Sequence, residues 1–352
     1  MDLQISVIHQ IVELHFSDWI PQSSGVIELW VQEREYEEGD YYLTSRRHRK
    51  TSRSGSSPTL LPNTKGVKFD WLDFDTYDNP FISPNGKGGG EGHSIKAAFI
   101  ISPPVLDALP LAQRFIDRVI EKGVRRIIFL GGSIQHCGDG PVLSQISEYI
   151  KGKGSDFNRL DEPNDSNLNA VKWTILRPSW FMENFSEMHH LYTIRDDNQI
   201  VSATGTGKIP FVSAEDIAIV AYKALIGKKT NGIERELVGM ELLLRGDQLW
   251  SYDDIASTLT RILGRKITHV NMEEKDIVRG MVDEGVEEDL ANVLVELDIA
   301  VKKGEEAQLG GDLELIIGRR GKGLIEYLEE CARSGIWDTK GDVERGNTKF
   351  SE

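Results

Sequence analysis

The chain has 352 residues, 39% of them hydrophobic and 28% charged, enough apolar material for a sizeable core arranged as two domains or one large domain with a cap. Its 41 basic against 56 acidic residues leave a net charge of −15, which repels phosphate backbones and argues against nucleic-acid binding. Two cysteines, Cys137 and Cys331, rule out a disulfide framework and fit a reducing compartment. No apolar run reaches the roughly 18 residues of a membrane span. The amino terminus lacks a basic n-region before an apolar stretch, so no secretory signal is expected. Cytoplasm is the expected location.

In chain order, residues 3–16 place Ile5, Ile8, Ile11 and Val12 at helical spacing. Residues 25–32 read as a short strand. Residues 41–62, rich in Ser, Arg, Gly and Pro, read as a loop containing the basic run 46–50, a solvated segment rather than a patch. At Gly66 the character changes. Residues 67–71 read as a strand and residues 84–92 as a glycine-rich insertion. Residues 97–101 form a continuous apolar run ended by Pro103 and Pro104, as in a buried parallel strand. A helix is expected over 111–122 with Gly123 as its stop, then a strand over 126–130 ending at Gly131-Gly132. Residues 142–150 form a further helix, and 152–169 a polar loop. A buried strand over 173–176 runs into the aromatic stretch Arg177-Pro-Ser-Trp-Phe-Met-Glu-Asn-Phe185. A turn holding Gly205 and Gly207, a short strand and a helix from about Ser213 follow.

This alternation predicts an α/β fold, a doubly wound, Rossmann-like parallel sheet with helices on both faces. After Glu236 the pattern turns helical, over 252–263 (Ser251 as N-cap, Gly264 as stop), 286–301 and 324–331. The expected organisation is an irregular segment 1–65, a nucleotide-binding domain 66–235, a smaller, mostly helical substrate region 236–337 and a polar tail 338–352.

Five stretches carry a resemblance: Val67-Lys-Phe-Asp-Trp-Leu-Asp73 with Asn79-Pro-Phe81; Ile101-Ser-Pro-Pro104; Leu176 to Glu187; Ser202 to Ala218; and Leu263-Gly-Arg-Lys-Ile267. In this order they resemble the NmrA-like branch of the short-chain dehydrogenases, and within it the fungal festuclavine/agroclavine dehydrogenases of ergot alkaloid synthesis. The resemblance implies NADPH on a Rossmann fold and hydride transfer to a cyclic iminium of an indole alkaloid. Its other implied reading is a non-enzymatic regulator that senses a dinucleotide. One departure stands out. Members begin with a strand running into a glycine-rich phosphate turn, but no G-x-x-G run stands between Leu43 and Gly55 here.

The resemblance assigns Arg53 to the 2′-phosphate and Asp70 and Trp71 to the adenosine. It places Ser102 and Pro103 under the nicotinamide ribose, and Gly132 and Ser133 at the next strand end. In the superfamily that strand end carries a catalytic Ser, followed by Tyr-x-x-x-Lys; Tyr149 and Lys153 match the pattern. Gly152 and Gly154 suggest that the helix ends there and separates the two side chains. The catalytic group is otherwise unassigned. Trp180, Phe181 and Phe185 are the expected aromatic wall for a flat alkaloid. No metal is expected, because His136 and Cys137 have no partner cluster.

Overall fold

The computed structural model describes residues 29–32, 41–45, 64–82, 95–103, 105–134, 142–154, 170–187, 189–227, 236–283 and 285–339. The strands are β1 (Leu29–Gln32), β2 (Tyr41–Ser45), β3 (Thr64–Lys68), β4 (Ala97–Ile101), β5 (Arg126–Leu130), β6 (Lys172–Pro178), β7 (Gln199–Ser202), β8 (Met240–Leu244) and β9 (Thr268–Asn271). Seven form one sheet in the order β3-β2-β1-β4-β5-β6-β8, and β7 pairs with β9 in a separate parallel ribbon.

Uniform apolar runs explain the centre of the sheet. All five residues of β4 are buried, as are the last four of β5, so both faces must be covered. Strand alternation sorts them. Phe99, Ile101, Ile128, Leu130 and Leu176 pack on one face against α4 (Ala214–Ile226). Ala98, Ile100, Ile127, Phe129 and Ile175 pack on the other against α1 (Ala108–Glu121) and α2 (Val142–Lys153). Each fully buried Ile or Phe contributes about 1.5–3 kcal/mol.

Four sequence expectations change. Tyr41–Ser45, read as loop, is β2. The third strand lies at Thr64–Lys68, so Trp71 falls in the turn after it. The sheet continues past residue 235, because β8 pairs in parallel with β6. β9 also lies in that part of the chain, which is otherwise mostly helical as expected. The helix expected over residues 3–16 lies outside the described residues.

The fourth change concerns direction. β1 occupies the central place of a first strand but runs antiparallel to both β2 and β4. Leu29 sits beside Ile100 and Gln32 beside Ala97, so the chain leaves β1 at the amino edge of the parallel strands.

The remaining helices build the second region: the short α3 (His189–Tyr192), α5 (Tyr252–Leu263), α6 (Glu274–Asp283), α7 (Glu288–Lys302), α8 (Leu313–Ile317) and α9 (Leu324–Arg333). α5 begins with a capping box between Ser251 and Asp254 and ends at Gly264 in the left-handed conformation, φ 65°. Its apolar face joins Phe185, Phe211, Tyr327, Leu328 and Trp337 in a separate core. No helix among the described residues is long and apolar enough to cross a membrane.

Two of the recognised stretches interlock. Val212 N–H donates to the Trp180 carbonyl at 2.9 Å, and Met182 N–H to the Val212 carbonyl at 3.0 Å. Glu183, fully buried, accepts from Ala214 N–H with both carboxylate oxygens at 3.1 Å. A carboxylate thus sits at the first turn of α4, where helix dipole and free N–H groups favour a negative charge. Ser213 caps the same helix through Asp216 N–H. Glu183→Ala is expected to lower unfolding free energy by about 2–4 kcal/mol, and Glu183→Gln by less, measured by urea denaturation.

Candidate active site

Ligands of open α/β sheets bind beyond the carboxyl ends of the strands, where the strand order reverses. Here that point lies between β1 and β4. Ser102 and Pro103 leave β4 beside it, both buried. The next turn, Gly131 to Ser133, is fixed from three directions. Gly131 N–H donates to the Leu176 carbonyl at 2.8 Å and Ser133 N–H to the Pro178 carbonyl at 2.9 Å. Arg177 Nη2 donates to the Ser133 carbonyl at 2.8 Å, while its Nη1 lies 3.2 Å from Glu241 Oε2 on β8. Arg177 is therefore a brace between three strand ends. A Cβ at Gly132 would make an ordinary contact with Leu143, 3.8 Å from its Cδ1.

Above this turn lies Glu306, from the segment after α7. It is 1% exposed, and both its oxygens accept: one from Ser133 Oγ at 2.5 Å, the other from Ser179 Oγ at 2.9 Å. Ser179 N–H in turn donates to the Leu244 carbonyl at 2.9 Å. Sequence reasoning missed Glu306 and Ser179. Glu306 lies 173 residues from Ser133, and no local spacing could announce the contact.

The aromatic stretch divides. Phe185 is fully buried, ringed by His190, Phe211 and Tyr252, and offers no face to a ligand. Phe181, 8% exposed, packs into the α4 side of the sheet. Both are packing residues, because the strand end turns them inward with Met182. Trp180 alone is half-buried, at the border of the helical region's core. Trp71 is likewise a core residue, 1% exposed and edge-on to Phe69, Tyr77 and Phe115. Asp70 is partly exposed and spends one oxygen on its own turn, accepting from Leu72 N–H at 2.9 Å. Arg53, His136 and Cys137 lie outside the described residues.

A second polar constellation lies in the helical region. Ser202 Oγ is 2.8 Å from His269 Nε2, and His269 Nδ1 is 3.0 Å from Asp253 Oδ1. The order matches an acyl-transfer triad. Yet Ser202 is 3% exposed, and Thr204 fills its other directions through Oγ1 at 2.8 Å and N–H at 3.3 Å. The group ties β7 and β9 to α5. A groove of about 630 Å³ between α6 and α7, floored by Val278, Val295 and Ile299, shares no lining residue with the strand-end site.

No protein-family model matches the chain. Agroclavine dehydrogenase of Claviceps fusiformis is 32% identical over 271 residues, covering 76% of this chain and 83% of the relative. Festuclavine synthase I of Penicillium roqueforti is 34% identical over 266 residues, covering 75% and 84%. This chain belongs to the festuclavine/agroclavine dehydrogenase family. Among solved structures, triphenylmethane reductase of Citrobacter sp. in complex with NADP(H) superposes with a TM-score of 0.54 at 18% identity, over 76% of this chain and 84% of that one. That likeness supports the Rossmann-like fold.

Within this dehydrogenase family member, Tyr149 and Lys153 do share a helix face, contrary to the expectation from Gly152. α2 runs on through Lys153, whose Nζ stands 4.6 Å from the Tyr149 ring centroid. Their partner is Asp117 on α1: Tyr149 Oη lies 2.8 Å from each carboxylate oxygen, and Lys153 Nζ 2.6 Å from Oδ1. Ser133 bonds elsewhere, so the three residues are not assembled as a serine–tyrosine–lysine set. Burial also pushes the Tyr149 hydroxyl above its ordinary pKa, with Lys153 opposing. Tyr149→Phe should keep turnover within about tenfold, against the roughly 100-fold loss of a true general acid, in steady-state kinetics.

Proposed function

We propose that this chain is an NADPH-dependent reductase that delivers hydride to the C=N⁺ carbon of a cyclic iminium in an indole alkaloid of the ergot type. The observation that carries the reading is the match to agroclavine dehydrogenase and festuclavine synthase over 83% and 84% of their lengths. NADPH, when bound, supplies the hydride. The chain's own tasks are to hold the nicotinamide end, orient the substrate and exclude water.

Ser102, Pro103, Gly132 and Ser133 would hold the nicotinamide end, at the strand ends where ligands of such sheets bind. Trp180 follows Ser179 at the same edge and supplies the aromatic surface for a flat substrate. An iminium carbon is already electrophilic, so the hydride step needs no proton at nitrogen. That chemistry suits a site in which Tyr149 is engaged by Asp117 and Ser133 donates to Glu306. At the other end of the cofactor, Asp70 and Arg53 are the groups proposed for the adenosine and its 2′-phosphate. The fit is poorer there: among the described residues, β1 is reversed and no helix N-terminus follows it at the carboxyl edge.

The test is NADPH titration by nicotinamide fluorescence, then turnover on a tricyclic indole iminium. Loss of several backbone donors at about 0.5–1.5 kcal/mol each predicts a dissociation constant of roughly micromolar or weaker. Binding without turnover would favour a dinucleotide-sensing regulator. Trp180→Ala should raise the Michaelis constant for the iminium about 3–30-fold and leave NADPH affinity unchanged, since stacking on a cationic ring is worth about 0.5–2 kcal/mol. A fall in melting temperature alone would make Trp180 a packing residue.

A further inference from the structure

We infer that Arg177 is a positioning residue: its guanidinium fixes the turn from Gly131 to Ser133, and through that turn it sets where the reacting ring of a bound dinucleotide lies. The inference rests on the proposed reductase site and concerns what holds that site in register.

Four observations carry it. Arg177 Nη2 donates to the Ser133 carbonyl at 2.8 Å and Nε to the Gly132 carbonyl at 3.4 Å, so one planar fork takes two successive carbonyls. The other side of the fork is held in turn: Nη1 lies 3.2 Å from Glu241 Oε2, Glu241 Oε1 pairs with Lys151, and Lys151 pairs with Glu148 at 2.7 Å. Basic and acidic groups alternate along this chain from the turn across β6 and β8 to α2. The guanidinium therefore brings geometry to the strand end more than net charge. Ser133 is held at all three of its polar atoms, its N–H by the Pro178 carbonyl, its carbonyl by Arg177 and its Oγ by Glu306. Gly132 N–H, by contrast, has no hydrogen-bond partner among the described residues. With its carbonyls spent on Arg177, this half-buried turn keeps one backbone donor for a ligand at the carboxyl end of β5.

The brace acts on distance rather than on affinity. A misplacement of about 1 Å between reacting atoms can cost roughly 100-fold in rate, while the adenosine and phosphates are held by other parts of the chain. Arg177 acts through the turn and is not a catalytic group.

Two variants test it on the full chain. Arg177→Gln keeps a donor but loses the fork; Glu241→Gln keeps Arg177 and loosens its hold. Arg126→Met is the control, because it removes the Arg126–Glu236 pair, 2.6 Å apart, at the amino edge of the same strand. Turnover is followed on a tricyclic indole iminium, with NADPH and with NADPH dideuterated at C4. Arg177→Gln should lower kcat about 10–100-fold and keep the NADPH dissociation constant and the iminium KM within about threefold. Its isotope effect on kcat should be at least as large as that of wild type, since hydride transfer then limits the rate. Glu241→Gln should move the same way by less. Arg126→Met should lower the melting temperature and leave kcat and the isotope effect unchanged. A folded Arg177→Gln with kcat within about threefold of wild type overturns the inference, as does an equal loss in Arg126→Met. Hydrogen exchange of the amides over residues 130–134 is the second readout: saturating NADPH should slow it in wild type and slow it less in Arg177→Gln. No slowing in wild type, or equal slowing in both, overturns the inference. If the exchange behaves as expected yet wild type reduces no iminium, the reductase reading fails and the positioning role stands.

Discussion

The site depends on one interaction, the pair of hydrogen bonds that Ser133 and Ser179 donate to Glu306. It joins the ends of β5 and β6 to a segment from the helical region, so sheet and second region meet at the place where a ligand would sit. A typical hydrogen bond contributes about 0.5–1.5 kcal/mol, and burial makes losing one dearer still. Around this pair the edge is closed by backbone. Gly131, Ser133 and Ser179 donate to Leu176, Pro178 and Leu244, and Asp312 fastens the following segment to Leu243 on β8 through its N–H and its carboxylate. Little of this edge can move without breaking several bonds together, which suits chemistry that asks for orientation more than for proton transfer.

The same economy explains why two recognisable motifs are more structural than they look. Residues 180–185 and 210–216 exchange backbone bonds and share Glu183, which anchors the start of α4. An aromatic-rich loop at a strand end invites a ligand reading, and the position is right. The side-chain directions are decided by the core, however, and Phe181 and Phe185 follow Met182 inward. Trp180 stays half-buried at the border of the helical region's core.

Elements with a strong local signal were legible. β4 and β5 were found at their observed bounds because runs of five and four consecutive apolar residues, each soon followed by Pro or Gly, have few other solutions. α5 was found because Ser251, the apolar spacing and Gly264 agree. What was not legible was non-local. β2 lies between β1 and β3 among the described residues, and its β-prone Tyr and Thr residues were outweighed by the Ser, Arg, Gly and Pro of the longer stretch that follows. β7 and β9 are four residues each and are stabilised by pairing with one another. Tyr149 and Lys153 had a correct helical spacing, but spacing cannot say which helix they face; Asp117 on α1 decided it. The Ser202–His269–Asp253 chain was invisible for the same reason, its members being neighbours only after β7, β9 and α5 assemble.

The reversal of β1 has the widest consequence. In a doubly wound sheet the first strand delivers the chain to the carboxyl edge, and the helix that follows presents free N–H groups and a positive dipole end to the pyrophosphate. Here the backbone enters β1 at that edge, at Leu29 beside Ile100, and leaves at the opposite one. The position of the strand is kept and its delivery is lost. Hydrogen-bond pairing accepts either direction, so the hydrophobic centre of the sheet can be completed by a strand of the wrong polarity. The phosphate turn cannot, because it depends on which end of the strand the chain leaves. The strand ends proposed for the nicotinamide, those of β4, β5 and β6, keep their parallel direction. The two halves proposed for a dinucleotide site are thus separable: the proposed nicotinamide half rests on the parallel strands, and a phosphate turn of the ordinary kind rests on a single strand's direction.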